Sequence, residues 1–361
     1  MKTLLLSPEL FLGEGGIARI MRLYLKALCE LAAPGDEVAS IVLNDAAEPD
    51  LRLNRYSTAA LRASIGCARR KGRFARATLA ATTPRSRIVC GHLHQLPVAW
   101  LAAKTHRQVD YFLVAHGIEV WRPYTTLETI ALRGARRILC VSEYTRRQML
   151  RFCPTLEPAR LVVVPNTLDP FFAPAASDAY PAAGARLDGP RILTVGRLAS
   201  TDTYKGFDTI IEAMPQLRRR HPRAELRIVG GGDDTPRLQA LVARLGLTEA
   251  VTFTGILDDA ALAREYQTCD VFALPSRKEG FGLVYLEAMT YGKACLGARA
   301  GGAPEVIDGQ VGALAEYGNI PEIAAALNDL VLHPRDPAAI QQHAAAFAFP
   351  IFQQRLAAAL A

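Results

Sequence analysis

The sequence predicts an α/β protein in which two doubly wound parallel-sheet domains follow one another along the chain. Short apolar runs alternate with longer amphipathic stretches, this alternation stops once and then resumes, and glycines follow the apolar runs of the second half. The 361 residues are enough for two ordinary domains, and a composition of 50% apolar and 21% charged residues is typical of a globular protein.

The N-terminal domain is predicted over residues 1–166. Six short apolar runs in it have the character of strands, and the longer stretches between them have helical spacing, so we expect a parallel sheet. The strand candidates are Thr3–Ser7, Val38–Leu43, Ile88–Cys90, Tyr111–Ala115, Ile138–Val141 and Leu161–Val164.

A break in this pattern predicts an interdomain linker over 167–189, where prolines recur and the apolar residues have no period. The second domain is predicted over 190–342. The alanine-rich tail 343–361 is expected to be a helix that docks back on the N-terminal domain. The second set of strand candidates is Ile192–Val195, Leu226–Val229, Val251–Thr254, Val271–Leu274 and Ala294–Leu296.

Neither a membrane-spanning helix nor a leader is predicted. No window approaches the ~18 uncharged apolar residues that a spanning helix needs, and the apolar start of the chain is too short for a secretory signal. We therefore expect a cytosolic protein. The seven cysteines include no Cys-x-x-Cys pair and several lie inside apolar runs, so we expect reduced core residues.

The net charge of +7 is distributed unevenly. Residues 1–166 contain 24 lysines and arginines against 13 acidic residues, a net charge of +11, whereas the rest of the chain carries −4. The segment 51–90 is the most basic part and contains no acidic residue. Its cations are Arg52, Arg55, Arg62, Arg69, Arg70, Lys71, Arg73, Arg76, Arg85 and Arg87.

The basic segment 51–90 is either a solvated helical face or a binding surface for an anionic partner. Nucleic acid is disfavoured, because only Tyr56 and Phe74 are available to stack on bases and no nucleic-acid-binding motif is present. The alternatives carried forward are peripheral contact with the anionic inner leaflet of the membrane and binding of a phosphate-bearing acceptor.

Two cations in the second half are candidates for ligand binding, because ligands of open parallel sheets lie at the carboxyl ends of the strands. Arg197 comes directly after a predicted strand, and Lys205 lies in the loop that follows. A guanidinium and an ammonium converging at this edge suit a diphosphate. Each of them could also be an ordinary surface cation.

A second group of candidates lies where a glycine-containing loop enters a helix at about Gly282. The backbone N–H groups of Gly282, Leu283 and Val284 are expected to face a bound phosphate. Glu287 lies one turn further in, where a carboxylate can accept both hydroxyls of a ribose, and Glu279 can reach a sugar hydroxyl. Alternatively, these acids are a helix-start acid and a solvated ion-pair partner.

Together these motifs resemble the retaining glycosyltransferases of family 4, the large group 1 family of the GT-B fold. The resemblance covers essentially the whole chain and is most specific over 190–307. It implies two Rossmann-like domains that face each other across a cleft, with the donor bound by 190–342 and the acceptor by 1–166. The motifs that carry it are Gly13-Glu14-Gly15-Gly16, His116-Gly117, Val141-Ser142-Glu143, Val164-Pro165-Asn166, Val195-Gly196-Arg197, Lys205-Gly206, Ile228-Val229-Gly230, Phe253-Thr254-Gly255, Leu274-Pro275-Ser276, Glu279 to Glu287 and Gly301-Gly302-Ala303-Pro304-Glu305.

The resemblance implies roles for individual residues of the second half. Arg197 and Lys205 would neutralise the donor diphosphate, where charge develops on the leaving group. Glu287 would bind the ribose, and Glu279 would hold a hydroxyl of the transferred sugar. The backbone segment along the sugar and phosphates would be Phe281, Gly282, Leu283 and Val284.

In the first half, Gly15 and Gly16 resemble a loop whose small size admits the pyrophosphate, and His116 resembles a residue that contacts the transferred sugar. The implied reaction moves a hexose from a nucleoside-diphosphate sugar to a glycan or lipid-linked acceptor, with retention of anomeric configuration, in cell-surface polysaccharide or glycolipid biosynthesis. We expect no cofactor, no metal and no protein nucleophile. GDP-mannose and UDP-hexoses fit the sequence equally well. The implied catalytic residues are His116, Glu279, Arg197 and Lys205.

The main alternative is a non-catalytic nucleotide-sugar-binding or scaffold protein on the same fold, which the presence of all four charged donor-side candidates disfavours. An epimerase would need an acid/base set of histidine and carboxylate that the sequence does not assemble. An NAD-dependent dehydrogenase is disfavoured because Gly13-x-Gly15-Gly16 lacks the third glycine of the dinucleotide fingerprint.

Other pairs of polar residues are assigned to structure. His92-x-His94 lacks a third ligand at a suggestive spacing, so a metal site is disfavoured there. Asp233-Asp234 and Asp258-Asp259 follow glycine-containing turns and are expected to be helix N-caps.

Overall fold

The computed structural model describes residues 1–172 and 189–361, so most of the predicted linker 167–189 lies outside the described residues. The chain divides into two units, each with its own parallel sheet. The first unit comprises Met1–Asp169 with Phe349–Ala361, and the second comprises Pro170–Ala348.

The first unit is built on a parallel sheet of seven described strands. These are β1 (Lys2–Ser7), β2 (Glu37–Val42), β3 (Leu61–Gly66), β4 (Arg87–Cys90), β5 (Asp110–Ala115), β6 (Arg137–Cys140) and β7 (Leu161–Val163). Their order is β3-β2-β1-β4-β5-β6-β7. Each inner strand is buried after its first residue, which explains why these sequences are nearly continuous apolar runs.

Five helices that connect the strands of this sheet cover it, and polar side chains begin some of them. The Thr125 hydroxyl accepts a hydrogen bond from the Glu128 backbone N–H, and Ser142 caps the following helix through the Thr145 N–H. The helices are α1 (Gly16–Glu30), α2 (Lys71–Ala81), α3 (Leu96–Thr105), α4 (Thr126–Gly134) and α5 (Glu143–Phe152).

Strand β3 was not predicted, because it lies inside the basic segment 51–90 and is not an apolar run. It forms an edge of the sheet and pairs only with β2, so most of its side chains are exposed or half-buried. The basic segment therefore contains the helical turn Leu51–Tyr56, the edge strand β3, the helix α2 and the inner strand β4, rather than one helical face.

The second unit has a parallel sheet of six described strands. These are β8 (Arg191–Val195), β9 (Glu225–Val229), β10 (Val251–Gly255), β11 (Val271–Leu274), β12 (Ala294–Ala298) and β13 (Gly312–Ala315), in the order β10-β9-β8-β11-β12-β13. Strand β13 was missed because its sequence, Gly-Ala-Leu-Ala, lacks β-branched residues. The helices of this unit are α6 (Phe207–Arg220), α7 (Thr235–Arg244), α8 (Asp259–Thr268), α9 (Leu283–Thr290), α10 (Ile320–Leu332) and α11 (Pro337–Ala345).

Each sheet has a point at which the strand order reverses, and this is where open parallel sheets bind ligands. In the first unit the reversal lies between β1 and β4, and in the second it lies between β8 and β11. The loops that leave these strands at their carboxyl ends contain most of the predicted site residues.

The predicted boundary at 343 lies inside α11, which belongs to the second unit. The chain leaves that unit only after Phe347, whose ring packs edge-to-face on Phe281 at 5.6 Å between centroids. The last helix, α12 (Phe349–Leu360), begins one residue before Pro350, and proline is tolerated in the first turn of a helix.

Helix α12 packs within the first unit. Phe352 is 1% exposed and contacts Tyr24 of α1 edge-to-face, with 5.0 Å between ring centroids. Arg137 donates to the carbonyls of Ala358 and Ala359 at 2.9 Å, which satisfies acceptors at the end of the helix.

All seven cysteines are buried and free, as predicted. Burial raises the pKa of the Cys90 and Cys269 thiols to about 12, so the reactive thiolate is disfavoured. Within the part of the chain that is described, no helix combines the length and the apolar character needed to cross a membrane.

Removing the Phe352 ring should destabilise the first unit. A large-to-small change of a buried phenylalanine costs about 3–5 kcal/mol, so we expect Phe352→Ala to lower the urea midpoint of this unit markedly. The matched control is Gln354→Ala on the exposed side of α12, which should leave the midpoint unchanged. Equal midpoints for the two variants would show that α12 contributes little to the stability of the first unit.

Candidate active site

Arg197 lies just beyond β8, in a loop that is tied to the end of β9. Its backbone neighbourhood is held by hydrogen bonds from Gly196 N–H to the Val229 carbonyl and from Leu198 N–H to the Gly231 carbonyl. The guanidinium is 70% exposed, yet its Nε and Nη2 both donate to Asp202 Oδ2, at 3.0 and 2.6 Å. The cation is therefore exposed but fixed in orientation.

Asp202 is almost fully buried, with 6% of the residue exposed. Its second oxygen, Oδ1, accepts a hydrogen bond from the Tyr204 hydroxyl at 3.1 Å. A buried carboxylate needs such partners, and the exposed guanidinium supplies the opposite charge.

Lys205 lies beside Arg197 at the same edge. Its side chain passes over Gly196, where a Cβ would be 3.8 Å from Lys205 Cδ. The ammonium is 3.9 Å from Glu279 Oε2, and both side chains are about one-fifth exposed. Because Glu279 follows β11, this ion pair joins the loops that leave the two strands on either side of the reversal point.

The loop after Glu279 enters α9 as predicted, with Gly282 as its N-cap. Gly282 has φ 93°, and a Cβ there would collide with the Tyr285 ring, so this turn requires glycine. No side chain caps this end of the helix, so the N–H groups of Leu283 and Val284 lie at the positive end of the dipole. Phe281 is buried and serves as the anchor of the loop.

Glu287 lies in the second turn of α9 and is only 4% exposed. Its Oε2 accepts a hydrogen bond at 3.0 Å from the hydroxyl of Tyr266, which is itself fully buried on α8. Glu287 is therefore not a solvated surface acid. Its role in binding a ribose stays a prediction.

In the first unit, Gly15 is the N-cap of α1 and Gly16 is its first residue. Neither has a positive φ, and an added Cβ would meet nothing within 4 Å at Gly16 and only Glu9 Oε1, at 3.8 Å, at Gly15. The fold of this unit therefore does not itself require glycine at positions 15 and 16. The close approach of a ligand remains as an explanation for glycine at these positions.

The loop before α1 is held from both sides. Asp45 accepts hydrogen bonds from the backbone N–H groups of Leu10, Phe11 and Leu12. Arg22, which is 5% exposed, donates to the carbonyls of Leu10 and Gly13. These contacts hold the loop in place without a ligand.

His116 follows β5, and its Nε2 lies 2.9 Å from the carbonyl oxygen of Gly91. A carbonyl only accepts, so Nε2 carries the proton and Nδ1 presents a lone pair. Nδ1 is inaccessible to solvent and has no hydrogen-bond partner among residues 1–172 and 189–361. His116 is thus an oriented hydrogen-bond acceptor.

Burial lowers the pKa of two histidines at this edge to about 4. For His116 the hydrogen bond to Gly91 acts in the opposite direction, and for His92 the carboxylate of Glu119 does so. Both imidazoles are therefore neutral near pH 7. His92 Nδ1 accepts from the His94 backbone N–H, and the described residues contain no group of three side chains that could hold a metal.

The structure brings Arg197, Lys205 and the Glu279 loop together at one edge of the second sheet, with Glu287 one turn inside α9. In the first unit, the glycine loop follows β1 and His116 follows β5, which are separated by β4.

The acidic pairs Asp233-Asp234 and Asp258-Asp259, both predicted to be helix N-caps, differ from one another. Asp258 is a helix N-cap as predicted, because its carboxylate accepts from the Ala261 N–H. Asp234 occupies the N-cap position of α7 without capping it and pairs instead with Arg237, and Asp233 accepts from Ser200. The N-cap prediction for these two side chains is therefore wrong.

Two carboxylates at these edges were not predicted from the sequence. Asp202 orients Arg197, and Glu119 accepts a hydrogen bond from the backbone N–H of His116. For Asp202 the available signal was an acid between two predicted phosphate-binding cations. For Glu119 it was an acid three residues after a candidate histidine.

Comparison with known protein families covers nearly the whole chain. The sequence profile of "Glycosyltransferase Family 4" matches residues 15–171, and that of "Glycosyl transferases group 1" matches residues 179–347.

Among characterised relatives, the chain is 36% identical over 267 residues to a GDP-mannose-dependent alpha-(1-6)-phosphatidylinositol monomannoside mannosyltransferase of Mycolicibacterium smegmatis, covering 68% of this chain and 67% of the relative. It is 33% identical over 240 residues to the protein of the same name from Mycobacterium tuberculosis, covering 60% of this chain and 59% of that relative.

Solved structures share the fold. The Anabaena protein HepE in complex with UDP and glucose has a TM-score of 0.77 at 20% identity, covering 99% of this chain and 98% of that one. A sucrose-phosphate synthase from Thermosynechococcus elongatus has a TM-score of 0.77 at 21% identity, covering 99% and 97%. Together with the two parallel sheets, these matches confirm the GT-B fold class. The chain belongs to the group 1 glycosyltransferases.

Proposed function

We propose that this protein transfers a hexosyl residue from a nucleoside-diphosphate sugar to a glycan or lipid-linked acceptor, with retention of anomeric configuration, in the synthesis of a cell-surface polysaccharide or glycolipid. The observation that carries the proposal is the edge of the second sheet, where Arg197, Lys205 and the uncapped start of α9 lie together. Two cations and a helix N-terminus form a binding surface for a diphosphate.

These groups also suit the leaving group of the transfer. The bond between the anomeric carbon and the diphosphate oxygen breaks, and the acceptor oxygen bonds to the same face of that carbon. The acceptor proton passes to the departing diphosphate, which takes the bonding electrons. Arg197 and Lys205 would stabilise the charge that develops there, so we propose that no metal is needed.

We propose GDP-mannose as the donor and a phosphoinositide-type glycolipid as the class of acceptor. This choice is supported by the activity for which the 36% identical relative from Mycolicibacterium smegmatis is named. The ligands of the solved structures carry less weight, because those proteins are about 20% identical and show the fold alone.

The first-unit residue His116 is proposed to accept a hydrogen bond from a substrate hydroxyl once the groups that cover its Nδ1 move aside, because this atom is inaccessible to solvent in the structure. The fixed tautomer presents Nδ1 as a lone pair, and a pKa of about 4 keeps the ring neutral. A neutral, buried imidazole is a positioning group rather than a proton carrier.

The basic segment 51–90 is proposed to contact the anionic leaflet that holds a lipid-linked acceptor. Arg69, Arg70 and Lys71 are exposed at the start of α2, and none of them has an ion-pair partner within the described ranges 1–172 and 189–361. Arg52 differs, because it pairs with Asp50 and Glu14.

Exposed apolar side chains lie in the same helical layer. Helix α2 contacts α3, and α3 contacts α4. Leu101 on α3 and Leu127 and Ile130 on α4 are 44–49% exposed. A helical layer that carries both exposed cations and exposed leucine and isoleucine side chains is typical of a surface that binds an anionic membrane interface.

Loss of either donor-side cation should weaken nucleotide binding. A hydrogen bond to a charged group contributes about 1.5–3 kcal/mol, so Arg197→Ala and Lys205→Ala should each raise the Kd for GDP about tenfold to a hundredfold. Isothermal titration calorimetry with and without EDTA measures the Kd for GDP directly.

Transfer and retention are tested separately, by turnover of GDP-mannose by the wild type with the product anomer assigned by NMR.

The matched control for these variants is Arg237→Ala. Arg237 is an exposed, ion-paired arginine of the same unit, and its removal should leave the Kd for GDP unchanged. Unchanged affinity in Arg197→Ala and Lys205→Ala would contradict the donor site. Binding of the sugar nucleotide without any transfer to acceptors would instead support the non-catalytic interpretation.

The neutral state of His116 should make the free energy of unfolding depend on pH. Its pKa is about 4 in the folded protein and about 6.5 in an unfolded chain, so the unfolded state binds more protons between these values. The free energy of unfolding should therefore fall as the pH falls from about 6.5 to about 4. Urea unfolding at several pH values should show a shallower fall for His116→Gln than for the wild type.

The control variant is His106→Gln, at the end of α3 and outside this site, whose slope gives the baseline for losing one histidine. A His116 ring that titrates near pH 6.5 by NMR would contradict a neutral, oriented acceptor.

Charge reversal at α2 should abolish membrane binding. We expect the Arg69→Glu, Arg70→Glu, Lys71→Glu variant to lose co-sedimentation with vesicles of phosphatidylcholine and phosphatidylserine, whereas the wild type binds them and not pure phosphatidylcholine. The same charge change at Arg218, Arg219 and Arg220 of α6 is the matched control and should retain binding.

If both triple variants lost binding equally, the attraction would depend on net charge and not on this surface. If the α2 variant bound vesicles normally but had a raised KM for the lipid acceptor, the segment would bind the acceptor phosphate instead of the leaflet.

A further inference from the structure

Glu119 lies in the short turn that follows β5, three residues after His116. Its Oε1 accepts a hydrogen bond from the backbone N–H of His116, with 2.5 Å between the heavy atoms. Burial raises the pKa of this carboxyl, while the backbone N–H groups of His116, Gly117 and Glu119 itself act in the opposite direction. The carboxylate is thus enclosed by the turn that it belongs to.

This turn has a backbone conformation that needs support. Gly117 has φ 145° and ψ −107°, a region that only glycine occupies readily. No side chain caps the helical turn Ile118–Val120 that follows, although the Val120 N–H bonds to the Gly117 carbonyl. The Glu119 carboxylate is the side chain that ties the end of β5 to this turn.

The ring of His116 is held from the other side. Its Nε2 donates to the carbonyl of Gly91, and the Gly91 N–H donates to the carbonyl of Leu6 on β1. The imidazole therefore has two fixed points, its own backbone N–H on Glu119 and its ring N–H on Gly91. Losing the first point would let the backbone of residue 116 move and misalign the second.

We propose that Glu119 is a positioning residue for His116, whose backbone N–H it holds so that the imidazole keeps its proton on Nε2. The Nδ1 lone pair is then directed at the position that a substrate hydroxyl takes once the groups covering this atom move aside. The kinetic part of this inference rests on the proposed function, but the tautomer does not. The tautomer of His116 is observable in the protein without ligand, so the positioning role of Glu119 and the proposed function can be rejected independently of each other.

The first test is spectroscopic. In ¹⁵N-labelled wild type near pH 7, the imidazole of His116, assigned with His116→Gln, should show the signals of a neutral ring protonated on Nε2. Glu119→Gln should keep this pattern, because an amide oxygen can accept the same N–H. Glu119→Ala should replace it with averaged signals of both tautomers.

The second test is kinetic. Misplacing a catalytic contact by about 1 Å costs up to 10²-fold, so Glu119→Ala should lower kcat about tenfold to a hundredfold with the donor KM changed less than about threefold. Glu119→Gln should recover activity to within about threefold of the wild type. In the His116→Gln background, Glu119→Ala should cause no further loss, because the two residues act as one unit.

The control is Glu157→Ala, which removes an exposed acid of the same unit that pairs with Arg160 and should leave the His116 signals and kcat unchanged. If Glu119→Ala does not fold, Glu119→Asp withdraws the carboxylate by one methylene and should give an intermediate loss of the Nε2–H pattern. The proposal would be overturned if the Glu119 variant that folds showed the wild-type imidazole signals of His116. It would also be overturned if the losses of kcat from His116→Gln and Glu119→Ala added in the double variant. Altered tautomer signals in a protein without transferase activity would keep the positioning role and reject the proposed function.

Discussion

The parallel pairing of β8 with β11 is the interaction on which the candidate site of the second unit depends. Ile192 pairs with Val271 and Leu193 with Phe272, although these residues are far apart in the sequence. Parallel strands that pair in this register end at the same edge, so the loop that contains Arg197 and Lys205 lies beside the loop that contains Glu279. The Lys205–Glu279 ion pair is a direct consequence of this pairing.

At that edge, each cation has an acidic partner before any ligand binds. Arg197 is held by the buried Asp202, and Lys205 lies 3.9 Å from Glu279. The partners reduce the mobility of long, flexible side chains, which lowers the ordering entropy that a ligand has to overcome. The acidic partners also lower the local positive potential, so the two cations are oriented while the net charge of the site stays moderate.

The first unit arranges its polar groups differently. The imidazoles of His92, after β4, and His116, after β5, are neutral because they are buried. Glu119 and Gly91 fix the orientation of His116. Exposed positive charge lies instead at the start of α2, on Arg69, Arg70 and Lys71. Burial thus separates a neutral hydrogen-bonding region from a cationic surface within one sheet layer.

The sequence by itself determined the fold class and most of the strands, because buried parallel strands require continuous apolar runs that are visible without a structure. It also indicated Arg197, Lys205, Gly282 and the start of α9, because glycines and cations after strands have a direct physical meaning. Strands β3 and β13 escaped prediction, since an exposed edge strand and a run of small residues lack that apolar signal.

Only the tertiary structure decided which groups orient the predicted residues. Asp202, Glu119 and the Tyr266 hydroxyl on Glu287 act through contacts whose geometry depends on loop conformation and on strand pairing. The tautomer of His116 likewise depends on a carbonyl from a neighbouring strand. Sequence patterns report which residues are buried or follow strands, whereas the direction of a hydrogen bond is set only when distant segments pack together.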